Sequence, residues 1–220
     1  MKNLSKAQLD TRNLNQKIYS YLRDKIVHND LKPGTRIDYN DIANELGVSK
    51  TPLRDALQLL QQDGLIEVKS RSGTFVSTPN QKDIEEIFEV RKALERQAIK
   101  LAMPNISHQY LETIYATALD VDKEIIKGDY QSFFQFDRHF HKSLVLHSKN
   151  GRLIKMMESL EAQITWIGVM VAKTPERPRR ANEKHKDILN ALIKMNISIA
   201  QDLMDEHIEE VKQMTLKDFI

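Results

Sequence analysis

Residues 41–64 read DIANELGVSKTPLRDALQLLQQDG, and this stretch decides the fold of the N-terminal part of the chain. Ser49 is a favourable N-cap, and Pro52 is tolerated in the first turn of a helix. The apolar residues that follow are Leu53, Ala56, Leu57 and Leu60. Their i, i+3, i+4, i+7 spacing predicts one buried helix face that continues to Gly64.

Two further helices are predicted before this one. Asp38 is placed to cap a short helix, and Gly47 suits the left-handed conformation that ends it, one tight turn before Ser49. Apolar spacing from Asn15 onward predicts the first helix, which ends before the Lys-Pro-Gly turn at residues 32–34. Residues 1–13 are polar without a period, so we expect a flexible N-terminal arm there.

After Gly64 the apolar period changes from helical to alternating. Residues 65–69 and 74–77 alternate around the turn sequence SRSG at 70–73, which predicts a β-hairpin. Three helices with a tight turn before the third, followed by a hairpin, are typical of a winged helix-turn-helix. We expect this DNA-binding domain to span residues 14–78.

The rest of the chain, residues 79–220, shows helical periodicity without strand signals. Helices are expected near 81–102, 107–127, 130–147, 151–173, 177–195 and 197–217. The predicted fold class is therefore mainly α, with a winged helix-turn-helix and a small β-hairpin wing followed by an all-α six-helix bundle.

Composition restricts the chemistry of the chain. It has no Cys, which excludes disulfides, thiolate metal sites and a cysteine nucleophile and fits a cytoplasmic location. The most apolar stretch, residues 164–172, is much shorter than the about 20 residues of a membrane span, so no membrane partner is expected. Residues 1–78 carry 12 Lys and Arg against 9 Asp and Glu, a basic excess too small to decide DNA binding.

The start of the third helix and the hairpin tip are the candidate DNA-binding surface. A recognition helix enters the major groove with its N-terminal residues, and the wing reaches the neighbouring backbone. The candidates are Asn40, Ser49, Lys50, Thr51, Arg54, Arg71, Ser72, Gly73 and Thr74. Taken alone, the same residues also fit an ordinary solvated helix and turn.

A candidate metal site lies in the helical part. Asp137 and His141 are four residues apart and share a helix face, whereas His139 projects elsewhere. His185 and His207 would come from two other helices, and one carboxylate with three imidazoles fits a divalent ion. Isolated histidines are more often surface or capping residues, so this reading stays open on spacing alone.

The N-terminal residues resemble the GntR family of transcriptional regulators. The resemblance rests on LKPG at 31–34, DIANELGVSKTPLRDAL at 41–57, DGLI at 63–66 and RSGTFV at 71–76. It implies a homodimer that binds a palindromic operator in double-stranded DNA. Lys50 departs from the Arg usual in the family, which affects base preference because lysine lacks the planar fork of arginine.

Residues 83–215 resemble the FCD domain of that family. The resemblance implies that Asp137, His141, His185 and His207 hold a divalent ion, with zinc as the first expectation and nickel, manganese or iron as alternatives. It also implies a small organic acid effector, with Arg91 and Asn150 as candidate contacts. Arg91 fits equally well as an ion-pair partner of Glu95.

We therefore expect a ligand-responsive DNA-binding regulator, acting as a repressor, and not an enzyme. Two alternatives remain at this point. One is a metal-dependent hydrolase built on the Asp and His cluster, and the other is a sensor whose ligand needs no metal. In either regulatory case, residues 79–220 would form the effector-binding and dimerisation domain.

Overall fold

A computed structural model describes the backbone of residues 6–171 and 176–219, and the side chains of 14–169 and 176–219. The elements, in chain order, are α1 (Lys6–Val27), β1 (Arg36–Ile37), α2 (Tyr39–Leu46), α3 (Lys50–Gln62), β2 (Ile66–Lys69), β3 (Gly73–Val76), α4 (Gln81–Ala102), a 3-10 turn (Met103–Asn105), α5 (His108–Ile126), α6 (Gln131–His147), α7 (Gly151–Val171), α8 (Glu176–Ile193) and α9 (Ile197–Phe219). Helix α1 begins well before Asn15, and of the arm expected over 1–13 the first five residues lie outside the described chain.

The chain divides into two compact units. The first comprises Met1–Asn80 together with Ser159–Met170, and the second comprises Gln81–Glu158 and Val171–Ile220. Helix α7 therefore contributes residues to both units. The sequence indicated the change near residues 78–80, but it did not indicate that a later helix supplies part of the first unit.

The helix-turn-helix of the first unit forms at the predicted residues. The Asp38 side chain accepts hydrogen bonds from the backbone N–H groups of Asn40 at 2.7 Å and Asp41 at 3.2 Å, which caps α2. Gly47 ends α2 with φ 62°, a left-handed conformation in which glycine carries no Cβ penalty. Ser49 occupies the N-cap position of α3, but its side chain makes no capping hydrogen bond.

The wing is a three-stranded antiparallel sheet with the order β1-β3-β2. Strands β2 and β3 form the predicted hairpin, with Glu67 opposite Phe75. Strand β1 pairs with the other edge of β3, with Arg36 opposite Phe75, and was not predicted. Two residues are too few to show an alternating pattern, so β1 is defined only by its pairing.

One apolar core holds the first unit together. It buries Ile18 and Leu22 of α1 against Leu53, Leu57 and Leu60 of α3. Ala162 and Trp166 of α7 belong to the same core, and each is 1% exposed. The core around the apolar face of α3 therefore combines residues of α1 and α7, two helices that lie far apart in the sequence.

The second unit is helical throughout its described residues. Helix α4 packs against α6 and α9, while α8 packs against α5 and α9. Helices α4 to α9 correspond to the six predicted segments. The buried polar or charged side chains on these helices include Arg91, Glu95, His141, Asn182, His185 and His207. Over residues 6–171 and 176–219, no helical stretch combines the length and apolarity that crossing a membrane requires.

Candidate metal centre and DNA-binding surface

Three helices of the second unit bring the four predicted ligands together. Asp137 and His141 lie one turn apart on α6, His185 lies on α8 and His207 on α9. His207 Nε2 is 3.2 Å from His185 Nε2 and 3.3 Å from His141 Nε2. Asp137 Oδ1 is 3.5 Å from His185 Nε2 and 3.7 Å from His141 Nε2. All four ligand atoms lie within 4.8 Å of one another.

The protonation of these rings favours a cation. Burial lowers the pKa of both His185 and His207 well below the usual value of 6.5, and the neighbouring imidazole of His141 lowers both further. Neutral rings expose lone pairs, which are what a metal ion requires. A single proton on His207 Nε2 cannot form good hydrogen bonds to both His185 Nε2 and His141 Nε2. Atoms bound to one ion at 2.0–2.2 Å stand about 3–4 Å apart, so the donor set fits a divalent metal.

A buried ion-pair chain supports the ring of His141. Its Nδ1 donates a hydrogen bond to Glu95 Oε2, and Glu95 Oε1 accepts from Arg91 Nε at 2.6 Å. Burial alone would raise the pKa of Glu95, but His141 and Arg91 together lower it to about 2. The carboxylate therefore stays charged, and by accepting from Nδ1 it holds the ring of His141 with Nε2 facing the other three donors.

Arg91 is thus an ion-pair partner, one of the two roles that the sequence allowed. Arg91 is 6% exposed and Glu95 2%, and both occupy the stripe of α4 that also buries Phe88 and Ile99. When two charged residues stand at helix positions where apolar residues are expected, the sequence indicates a buried network of polar groups. The i, i+4 spacing of Arg91 and Glu95 predicts their pairing, but no local pattern connects Glu95 with His141.

Aromatic rings of α6 enclose the centre. The ring centroid of Phe140 lies 4.5 Å from that of His185, and Phe136 lies 5.8 Å from it. His185 Nδ1 is buried and, among the described residues, has no hydrogen-bond partner. These apolar neighbours lower the local dielectric, which strengthens any charge interaction inside the centre.

Asn150, which the sequence predicts as an effector contact, lies at the start of α7. It is exposed, and its Oδ1 accepts hydrogen bonds from the backbone N–H groups of Arg152 at 3.1 Å and Leu153 at 3.2 Å. These bonds satisfy two N–H groups in the first turn of α7. The side chain is therefore an N-cap of α7, and its contact with an effector stays a prediction.

The residues predicted to read DNA at the helix-turn-helix lie on the surface of the first unit. Side chains of Asn40, Ser49, Lys50, Thr51 and Arg54 are all exposed. Backbone hydrogen bonds from Asn40 and Asp41 lower the pKa of Asp38, and the positive charges of Arg36 and Lys50 lower it further. Two cations therefore stand near the N-terminus of α2. The sequence did not predict Arg36 as one of these two cations, because the pairing of β1 is not visible in the sequence.

The wing residues divide into two groups. Arg71 and Ser72 are exposed at the tip, where Arg71 adopts φ 61°. Gly73 lies against Arg36, whose Nε would be 3.4 Å from an added Cβ. Thr74 is 5% exposed and its hydroxyl lies 3.3 Å from Tyr39 Oη. Its side chain is buried, and its contact with DNA stays a prediction.

Comparisons with known proteins agree with this arrangement. Residues 14–76 match the profile of bacterial regulatory proteins of the gntR family, and residues 86–210 match that of the FCD domain. The chain is 27% identical over 190 residues to the HTH-type transcriptional regulator YdhC of Bacillus subtilis, covering 86% of this chain and 85% of that protein. It is 24% identical over 207 residues to the HTH-type transcriptional repressor RspR of Escherichia coli, covering 92% and 89%.

A solved structure extends the likeness to the fold. The E. coli protein McbR/YncC superposes with a TM-score of 0.78 at 23% identity, covering 94% of this chain and 99% of that one. The two family profiles together account for the winged helix-turn-helix and for most of the helical unit. Both curated relatives are transcriptional regulators, which leaves no support for the hydrolase alternative. The chain belongs to the GntR family of DNA-binding transcriptional regulators, in the group that carries an FCD domain.

Proposed function

We propose that the chain is a homodimeric repressor that binds a palindromic operator and releases it when a small organic acid binds the helical unit. Repression is supported by the name of the E. coli relative RspR. The observation that carries the effector half is the convergence of three buried imidazoles, His141, His185 and His207, with the half-buried carboxylate of Asp137.

The DNA half of the proposal rests on the start of α3. Ser49, Lys50, Thr51 and Arg54 are exposed there, while the opposite face of α3 is buried. In a major groove, Arg54 can bond a guanine edge with two nitrogens, whereas Lys50 acts as a point charge. Arg71 and Ser72 would follow the adjacent backbone.

The centre would hold one divalent metal ion, with zinc as the first expectation and nickel, manganese or iron as alternatives. Three imidazoles and one carboxylate are ligands that suit these ions. When bound, the ion supplies a positive charge in a low-dielectric site, which anchors the carboxylate of an effector. Arg91 remains a second candidate contact for the effector. Its Nε donates to Glu95, so a contact with the effector would use the other two nitrogens of the guanidinium group.

Metal content tests the centre directly. Protein purified without chelator should carry about one ion per chain, and His185→Ala should lose it. His139→Ala is the matched control, because His139 is exposed on the same helix as His141 and contacts Tyr110 Oη at 3.3 Å. A metal content near zero in the wild type, or unchanged metal in His185→Ala, would contradict the site.

Effector binding is tested by thermal shift with small organic acids, with and without added metal. A ligand that favours the DNA-free form must itself bind less tightly in the presence of operator, because the coupling is reciprocal. Stabilisation that requires metal and is lost in His185→Ala supports the proposal. Stabilisation that persists without metal would instead identify a metal-independent sensor.

A further inference from the structure

We propose that Gln163 and Trp166, near the C-terminal end of α7, are positioning residues for the recognition helix α3. Both belong to the segment Ser159–Met170, which forms part of the same compact unit as the winged helix-turn-helix. The proposal rests on the DNA-binding role of the family, and it is independent of the metal centre. The hydrogen bond of Gln163 reaches the end of α3 opposite to the end that would enter the groove.

Gln163 holds the turn that follows α3. Its Nε2 donates a hydrogen bond of 2.7 Å to the backbone carbonyl of Asp63, the C-cap residue of α3. Carbonyl groups at a helix end lack an intrahelical donor, so an external donor stabilises this turn. Residues 63–65 are all that connect α3 to β2, so the contact constrains both the recognition helix and the wing.

A residue of α1 makes a second contact with Asp63. Tyr19 Oη donates to Asp63 Oδ2 at 2.5 Å. Burial of the phenol, and then its hydrogen bond and charge interaction with Asp63, raise the pKa of Tyr19 to about 12. The side chain and the carbonyl of Asp63 are therefore bound by two different helices, so the orientation of α3 depends on both.

Close packing at Gly64 shows how near Gln163 lies. Gly64 has φ +68°, and a Cβ added there would clash with Gln163 Nε2. The left-handed conformation alone favours glycine, and the amide of Gln163 occupies the space that a side chain would need. Any larger residue at 64 would have to displace this amide from Asp63.

Trp166 fixes the rest of α3 through the core. It is 1% exposed and lies in the cluster that contains Leu57 and Leu60 of α3, together with Ala162. It is also the single Trp of the chain. Because its indole is among the largest fully buried side chains, the core that supports α3 is incomplete without α7.

Fluorescence of the full-length protein tests this placement without DNA or metal. Trp166 emission should be blue-shifted and protected from iodide, and Leu57→Ala should red-shift it. Ile188→Ala, in the core of the second unit, is the control that should leave the emission unchanged. An exposed indole, or an emission insensitive to Leu57→Ala, would overturn the placement of Trp166.

A double-mutant cycle tests the contact of Gln163. Gly64→Ala should destabilise the protein less in a Gln163→Ala background than in the wild type, because the smaller side chain leaves room for the added methyl group. Strictly additive losses of stability would mean that the two residues do not touch. Both outcomes are read from urea unfolding midpoints of the full chain.

The positioning role is tested with a duplex selected from a random pool by the wild-type protein. Gln163→Met keeps the length of the side chain but removes the donor, and should lower the ratio of selected to random duplex affinity about fivefold, the equivalent of one net hydrogen bond. Val169→Ala, an exposed residue of the same segment, should leave the ratio unchanged. An unchanged ratio in Gln163→Met with a lower unfolding midpoint would assign Gln163 a structural role only and overturn the proposal.

Discussion

The predicted DNA-binding surface and the candidate metal centre use polar side chains in opposite ways. At the start of α3, Lys50 and Arg54 are exposed and lie on the solvent face of a helix whose other face is apolar. In the centre, His185 is 0% and His207 2% exposed, and their neighbours are aromatic rings and other ionisable groups. Exposed groups can be changed without loss of fold, whereas buried groups carry stability and binding together.

This difference predicts that effects on folding and on binding separate in the first region and combine in the second.

Leu57→Ala should destabilise the first unit by about 2–5 kcal/mol, because it removes a buried side chain and leaves a cavity beneath α3. Arg54→Ala on the same helix should leave the unfolding midpoint almost unchanged. Chemical denaturation of the two variants checks the contrast. Equal losses of stability would show that the exposed and buried faces of α3 are not as described.

Glu95→Gln should weaken metal binding about 10–100-fold, because the ring of His141 loses the charged acceptor that orients it. Stability should fall as well, since Arg91 is left buried without its anionic partner. Competition with a metal-sensitive dye measures the affinity.

Glu209→Gln is the control for that variant. Glu209 pairs with Lys92 of α4 at 2.8 Å, but its side chain is 39% exposed. Exposed ion pairs contribute little, so metal affinity should stay at the wild-type value. A loss of metal affinity equal to that of Glu95→Gln would mean that general damage to α4 and α9 explains both results.

Arg54→Ala should weaken binding to the selected duplex by about 1–3 kcal/mol while random duplex is bound nearly as before. The guanidinium is expected at a base edge, so its loss reduces specificity. Fluorescence anisotropy at one salt concentration measures both affinities. A parallel loss on both duplexes would assign Arg54 to the phosphate backbone instead.

Two N-cap residues give the smallest and sharpest contrast. Asp38→Ala should lower the melting temperature slightly, because the Asp38 side chain accepts hydrogen bonds from two backbone N–H groups of α2. Ser49→Ala should not, because the Ser49 side chain makes no cap hydrogen bond, and its effect should appear only in DNA affinity. A thermal melt of each variant distinguishes them.

Asp38 also predicts a dependence on pH. Its pKa is lowered in the folded protein, so its contribution to stability is present above the usual pKa of 3.8 and is lost as the pH falls through the lowered value. In the Asp38→Ala variant this part of the acid sensitivity should disappear.

Local patterns predicted much of this fold because its elements are strongly periodic. The stripe of α3, the caps at Asp38 and Gly47 and the six later helices depend on residues near one another in sequence. The pairing of Asp137 with His141 follows from the pitch of one helix in the same way.

The features that were missed depend on contacts between distant residues. Strand β1 exists only through its pairing with β3, and Thr74 is buried because Tyr39 lies opposite its hydroxyl. Trp166 is far from α3 in sequence, and no local pattern predicts its place in the core around that helix. The capping role of Asn150 was not predicted, because a capping Asn and a ligand-binding Asn have the same sequence signal.

The central claim is that α3 reads DNA and that a separate buried centre controls this reading. One fluorescence anisotropy experiment tests it most directly. The wild type and His185→Ala are each titrated into the selected duplex and into a shuffled duplex. Each titration is made with and without metal and an organic acid that stabilises the protein. The account predicts that both proteins prefer the selected duplex by at least about 1,000-fold, and that only the wild type releases it with the acid. Equal binding of both duplexes by the wild type at every salt concentration would contradict the account.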